Sequence, residues 1–303
     1  MTLPEVSAPA PPGATVPVAT RRSPLRLALR RFLRNRLAVV GAVILVAVIV
    51  LAVGAPRFTP YNPTSVDLGV FRQPPSARHL LGTDSSGRDV LTRLLYAGRT
   101  SLTVGLVAAL LSVVVGLALG AVAGLLGGWL DSVIMRGADI VLSFPSIIVV
   151  VVVAGVLGPS VGVLVVVMAA TNWPTACRVV RGLALSLREQ EYVQAARAAG
   201  AGTGRVLLRH IVPAVLAPVS VVATLLVAQC ILAEAALSFL GLGVQPPQAS
   251  WGNMLNDAQD ITLIRMMPWL WLPPGIAIAA TVLAVNFVGD GLRDAVDPRQ
   301  AGR

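Results

Sequence analysis

The residue with the most demanding chemistry is a carboxylate in an apolar run. Glu234 lies within the stretch from Ala214 to about Leu240, and an ionisable group in such a segment costs on the order of a few kcal/mol unless it faces a cavity or a partner. Two roles are open to it: a polar point on a translocation pathway, or a hydrogen bond between neighbouring helices. Other reactive residue types do not converge. Cys177 and Cys230 sit at or inside apolar segments, too few and too separated for a disulfide framework or a zinc site, and read as packing residues. His79 and His210 lack metal-ligand spacing, and each reads as a surface or interface residue. No Ser, His and acid share a catalytic motif, so covalent chemistry is not expected.

The basic residues exclude one activity. All 24 are arginine and the chain has no lysine. A phosphate-binding loop needs its lysine to reach the β- and γ-phosphates. If ATP drives this protein, another subunit must bind it.

These residues sit in a chain built for lipid. It has 303 residues, 55% hydrophobic and 13% charged, with a mean hydropathy of +0.79, whereas soluble domains carry about 25% charged residues. The net charge of +10 does not indicate nucleic acid, because the arginines cluster at the ends of apolar runs and no aromatic-basic platform accompanies them.

In chain order, residues 1–36 read as a disordered, Arg-rich tail in which Arg21, Arg22, Arg26, Arg30, Arg31, Arg34 and Arg36 precede the apolar run 37–55. That charge bias places the N-terminus in the cytoplasm. A cleaved signal peptide is the competing reading, but the charged lead is long and the run is long enough to cross a bilayer. Residues 56–99 then form a polar, proline-rich segment outside the cytoplasm. In it Asp84, Ser85 or Ser86 caps an interfacial helix, Val90, Leu91, Leu94 and Leu95 face apolar surroundings, and Arg88 and Arg93 stay in water.

A core of five further spans occupies 100–290. A second span covers Thr100 to Gly127, with Gly116, Gly120, Gly124 and Gly128 on one face for close helix packing. Trp129 to Asp139 reads as a short inside turn. Spans follow at Ile140 to Leu157, with Pro145 near its inner end, and at Val161 to about Ala176, bent by Asn172-Trp173-Pro174. The last two run from Ala214 to Leu240 and from Pro268 to Val288. The tail 291–303, with Arg293, Arg299 and Arg303, returns inside. The expectation is an all-α membrane protein of six transmembrane helices with both termini cytoplasmic.

Between the fourth and fifth spans lies 186–213, SLREQEYVQAARAAGAGTGRVLLRHIVP. Tyr192, Ala195, Ala196 and Ala199 fall at helical spacing and form a smooth face that another surface can approach closely. Gly200, Gly202 and Gly204 supply left-handed backbone freedom between two helices, and Pro213 stops the second after Leu207, Leu208 and Ile211. This is a docking helix for a separate protein, or else an ordinary hairpin between two spans. Arg178, Arg181, Arg188, Arg197, Arg205 and Arg209 place it inside.

Three stretches resemble one family. Gln194-Ala195-Ala196, Gly200 and Pro213 match the spacing of the EAA loop, the cytoplasmic signature of importer permeases of the ATP-binding cassette class. Gln194 replaces its acid and His210 its late aliphatic residue. HLLGTDSSGRDVLTRLLYAGRTSL, from His79 to Leu102, and EAALSFLGLG with PPQASWGNML, from Glu234 to Leu255, resemble the dipeptide and oligopeptide permeases. The resemblance covers roughly residues 30–295. It implies a type I importer permease fold and a bacterial inner-membrane location. It also implies a second homologous permease subunit, two cytoplasmic ATPase subunits that carry ATP and magnesium, and an extracytoplasmic binding protein that delivers peptide. This chain itself is then expected to bind no cofactor. Nickel, glutathione or another small solute remains the alternative cargo. A proton-coupled secondary transporter would need more intramembrane acids and internal repeats than are found.

Overall fold

The computed structural model describes residues 24–296. The N-terminal part of the expected disordered tail, with Arg21 and Arg22, and the end of the C-terminal tail, with Arg299 and Arg303, lie outside the described residues. Every regular element among those described is helical.

Helix α1 (Pro24–Arg34) occupies what the sequence assigned to a disordered tail. Asn35 breaks the helix and caps α2 (Arg36–Val53), its side chain accepting from Ala38 N–H. A single turn, α3 (Ala55–Phe58), follows. Then comes α4 (Val90–Leu126), an unbroken helix of 37 residues, at 1.5 Å per residue about 55 Å long and well beyond a ~30 Å hydrocarbon layer. The sequence reading divided it into an interfacial helix and a span starting at Thr100. Gly98 lies inside this helix, and a Cβ there would sit 3.1 Å from the Trp251 ring, so the two pack closely. The N-cap is Asp89, which accepts from Thr92 N–H, in place of Asp84, Ser85 or Ser86.

The third span also differs from expectation. Trp129–Asp139 is no turn: α5 (Gly128–Ser143) is a helix of 16 residues and α6 (Ser146–Leu157) one of 12, bent by 81° about the break at Phe144 and Pro145. At about 18 Å, α6 alone falls short of the hydrocarbon thickness. Proline lacks the amide that would continue α5, so the residues between Ile140 and Leu157 cannot form one straight span.

Helix α7 (Val161–Arg188) runs through Pro174 and twelve residues past the expected end at Ala176. Within it Thr171 Oγ1 donates to Val167 and Met168 carbonyls and Asn172 Nδ2 to that of Met168. After α8 (Glu191–Ala198) and the short α9 (Thr203–Val206), a five-residue π turn (Leu207–Ile211) leads into α10 (Val212–Phe239). Pro213 therefore does not stop a helix. It sits in the first turn of α10, where a missing N–H is tolerated. Helices α11 (Trp251–Asn256) and α12 (Ile261–Met266) precede α13 (Pro268–Val296). Among the described residues five stretches are long and apolar enough to cross a membrane, and the bent α5–α6 pair, taken as one span, makes a sixth.

The most extensive packing is α4 on α7. Cβ atoms on Gly116, Gly120 and Gly124 would lie 2.6 Å from Ala176 Cβ, 2.5 Å from the Cys177 carbonyl and 2.6 Å from Ala184 Cβ. The glycine row thus sets how closely the two backbones approach. Gly128 is outside it: its φ is +62 and nothing lies within 4 Å of a Cβ there. Both free cysteines are buried, Cys177 against this row.

Candidate functional site

One end of the helix bundle carries the loop around α8, here the coupling end. Only Val193 of α8 is fully buried, in an apolar cluster with Val206, Ile211, Val215 and Val180. The face read as a docking surface is open: Tyr192, Ala195 and Ala199 are exposed and Ala196 is half-buried. Gln194 Nε2 donates to the Glu189 carbonyl. The chain then reverses at Gly200, whose φ is +86 while a Cβ would meet nothing within 4 Å. Glycine is there for its backbone conformation alone. Gly202, at φ −67, and Gly204, inside α9, are not left-handed as expected.

The reversal brings Tyr192 and His210 together, their ring centroids 6.1 Å apart. His210 belongs to the π turn, a feature the sequence reading missed. Such turns are rare and recur at functional sites. The only sequence signal was Pro213 so soon after a helical pattern.

The opposite end is polar and interlocked. Asp84 Oδ1 accepts from the Ser86 and Arg88 amides, while Oδ2 accepts from Arg88 Nε at 2.7 Å and Arg93 Nη1 at 2.6 Å. Arg93 Nη1 also reaches Asp257 Oδ2 at 2.8 Å. Arg93 is thus buried, 4% exposed, where the sequence reading left it in water. Asp257 supplies the reason from far along the chain. A cavity of about 10 Å³ beside Asp84, Arg93, Asp257 and Leu270 has room for roughly one water. His79 is buried as well, Nδ1 lying 3.0 Å from Asp89 Oδ2 and the ring against Tyr61. Gly87 admits no side chain, because a Cβ would collide with the Asp67 carbonyl.

Glu234 joins this region and no cleft. It is fully buried, and Ser238 Oγ, one turn on in the same helix, donates to Oε1 at 2.7 Å, while Oε2 has no hydrogen-bond partner among the described residues. Ser101 Oγ accepts from Trp251 N–H, and the Trp251 indole N–H donates to the Leu94 carbonyl. Gly252 packs against the Ala235 carbonyl. Glu234 therefore stands where α10, α4 and α11 meet. No cluster of metal-ligating side chains occurs among the described residues.

The model of the family described as "binding-protein-dependent transport system inner membrane component" matches residues 116–302. The chain belongs to this family. The model of the N-terminal transmembrane domain of oligopeptide transport permease C matches residues 23–75. A protein of Brucella suis biovar 1 named as a candidate peptide permease is 44% identical over 287 residues, covering 95% of this chain and 94% of its own. The dipeptide transport system permease protein of Alkalihalophilus pseudofirmus is 42% identical over 280 residues, covering 92% and 91%. This inner membrane component is accordingly a multi-pass permease with the type I ATP-binding cassette fold.

Proposed function

We propose that the chain is one of two homologous permease subunits of an ATP-driven importer that carries di- or oligopeptides from an extracytoplasmic binding protein into the cytoplasm. The observation that carries the substrate is the identity with peptide permeases across nearly the whole chain. Both termini and the coupling loop are cytoplasmic in this reading, since the arginines concentrate there. ATP and magnesium belong to two ATPase subunits, and a lysine-free chain has no standard cradle for the phosphates.

In the mechanism, ATP draws the two ATPase subunits together. Helix α8, held to the bundle through Val193, moves with the subunit docked on Tyr192, Gln194, Ala195 and Ala196. The motion reaches α7 through Arg188 and α10 through the His210 π turn and Pro213. Helices α7 and α10 tilt, the pathway between the permeases opens outward, peptide enters, and hydrolysis resets it. Glu234, fully buried at a helix junction with Ser238 donating to it, serves as a helix–helix polar site.

Reconstitution of the chain with the subunits encoded beside it tests this. Labelled peptide should enter vesicles only with ATP and the binding protein, while the chain alone neither binds nor hydrolyses ATP. Uptake of nickel or glutathione in place of peptide would overturn the substrate. Saturable uptake by the isolated chain without ATPases would overturn the mechanism.

A further inference from the structure

A patch of exposed guanidinium groups surrounds the joint between α1 and α2. Arg30 and Arg34 lie one turn apart on α1, Arg36 opens α2, and Arg293 lies in the last turn of α13; all four are exposed. None of the four makes an ion pair among the described residues. Of the acids on the neighbouring end of α13, Asp294 accepts from Asn35 Nδ2 at 3.1 Å, and Asp290 is exposed one turn earlier.

The same helix carries apolar side chains that the described residues do not cover. Leu29 and Leu33, at i and i+4 on one face, are 59% and 60% exposed. Phe32 instead turns inward, close to Gly291 of α13. Helix α1 is therefore fixed along one side and offers leucines beside arginines on the other. Because α2 is a membrane span beginning directly after Asn35, this face lies at the boundary of the apolar layer.

We propose that α1 is an interfacial helix that seats Leu29 and Leu33 among acyl chains and binds anionic phospholipid headgroups through Arg30, Arg34, Arg36 and Arg293. Amphipathic helices with basic residues beside leucines settle at this depth. A guanidinium presents a planar fork of donors that matches phosphate oxygens bidentately. Each such charge near an anionic surface strengthens binding roughly fivefold. An acidic protein in the same place would satisfy the arginines but leave the leucines without an apolar environment. The Asn35–Asp294 bond ties the lipid-bound helix to the end of α13.

The test uses the assembled transporter in vesicles of phosphatidylcholine with or without phosphatidylglycerol. A fluorophore on Leu33→Cys should be quenched by lipids brominated on their acyl chains. The purified complex should retain phosphatidylglycerol in preference to phosphatidylcholine, measured by mass spectrometry. Arg30→Gln with Arg34→Gln should weaken that preference about 25-fold, while the corresponding lysine pair keeps most of it. Should the double variant fail to insert, Arg34→Gln alone carries the same decision with a roughly fivefold loss. An unquenched probe, an unchanged lipid preference in the glutamine variants, or an acidic protein found on α1 in place of lipid would overturn the proposal.

Discussion

The two ends of this bundle are held together in different ways. At the far end, Asp84, Arg88, Arg93 and Asp257 share ion pairs, a buried hydrogen bond from Trp251 to Ser101 ties α11 to α4, and Ser238 donates to buried Glu234 within α10. At the coupling end, α8 is anchored by one buried valine, reverses at one left-handed glycine, and leaves its alanine face uncovered. A network with many mutual partners resists displacement as a unit. An element with few buried contacts opens at low cost. The difference assigns rigidity to the far end and response to the end that carries α8.

Four substitutions test that contrast, in descending order of expected effect. Arg93→Ala leaves Asp84 buried with one ionic partner fewer, and breaking a buried pair costs about 3–5 kcal/mol. Complex yield and melting temperature in detergent should fall sharply, while uptake per assembled complex stays near wild type. Normal yield would show that the Asp84–Arg93–Asp257 network is dispensable. Gly120→Val forces a side chain into the Cys177 carbonyl and Val180, and overpacking of this kind costs about 1–3 kcal/mol. Looser α4–α7 packing should appear as faster cleavage by protease at the loop after Arg188.

Gly200→Val belongs to the other class. A β-branched residue in the left-handed region costs about 1–2 kcal/mol, and no neighbour is displaced because the site is open. Membrane insertion and yield should be unchanged, yet the complex should retain fewer ATPase subunits or hydrolyse ATP without uptake. Full coupling in this variant would reduce the loop to a connector. Glu234→Gln is the mildest change, within about 1 kcal/mol, since an amide oxygen still accepts from Ser238. It should lower complex yield slightly and leave uptake per complex intact. A selective loss of uptake would instead place Glu234 on the pathway.

Sequence legibility followed the range of the interactions. The glycine row at 116, 120 and 124 could be read because one helix carries it at a fixed period. Gly200 could be read because it breaks a local pattern. Arg93 was misplaced in water because its partner Asp257 is 164 residues away. Trp129–Asp139 looked like a turn because three charges interrupt it, yet Arg181 holds Asp131 and Arg178 holds Asp139, so a polar-looking stretch folds as a helix against α7. The π turn and the Tyr192–His210 pair depend on how α9 meets α10.

The sequence by itself determined that this is a helical membrane protein, where its apolar runs lie, that it has no lysine for a phosphate loop, and that 186–213 is a charged loop with a smooth helical face. Each of these rests on composition or on a period within one segment. The tertiary structure alone decided that the third span is broken, that α4 is continuous, that Arg93 and His79 are buried, and that Glu234 is buried where three helices meet. Burial and pairing depend on which segments meet, and for Arg93 and Asp131 the deciding partners, Asp257 and Arg181, come from distant parts of the chain.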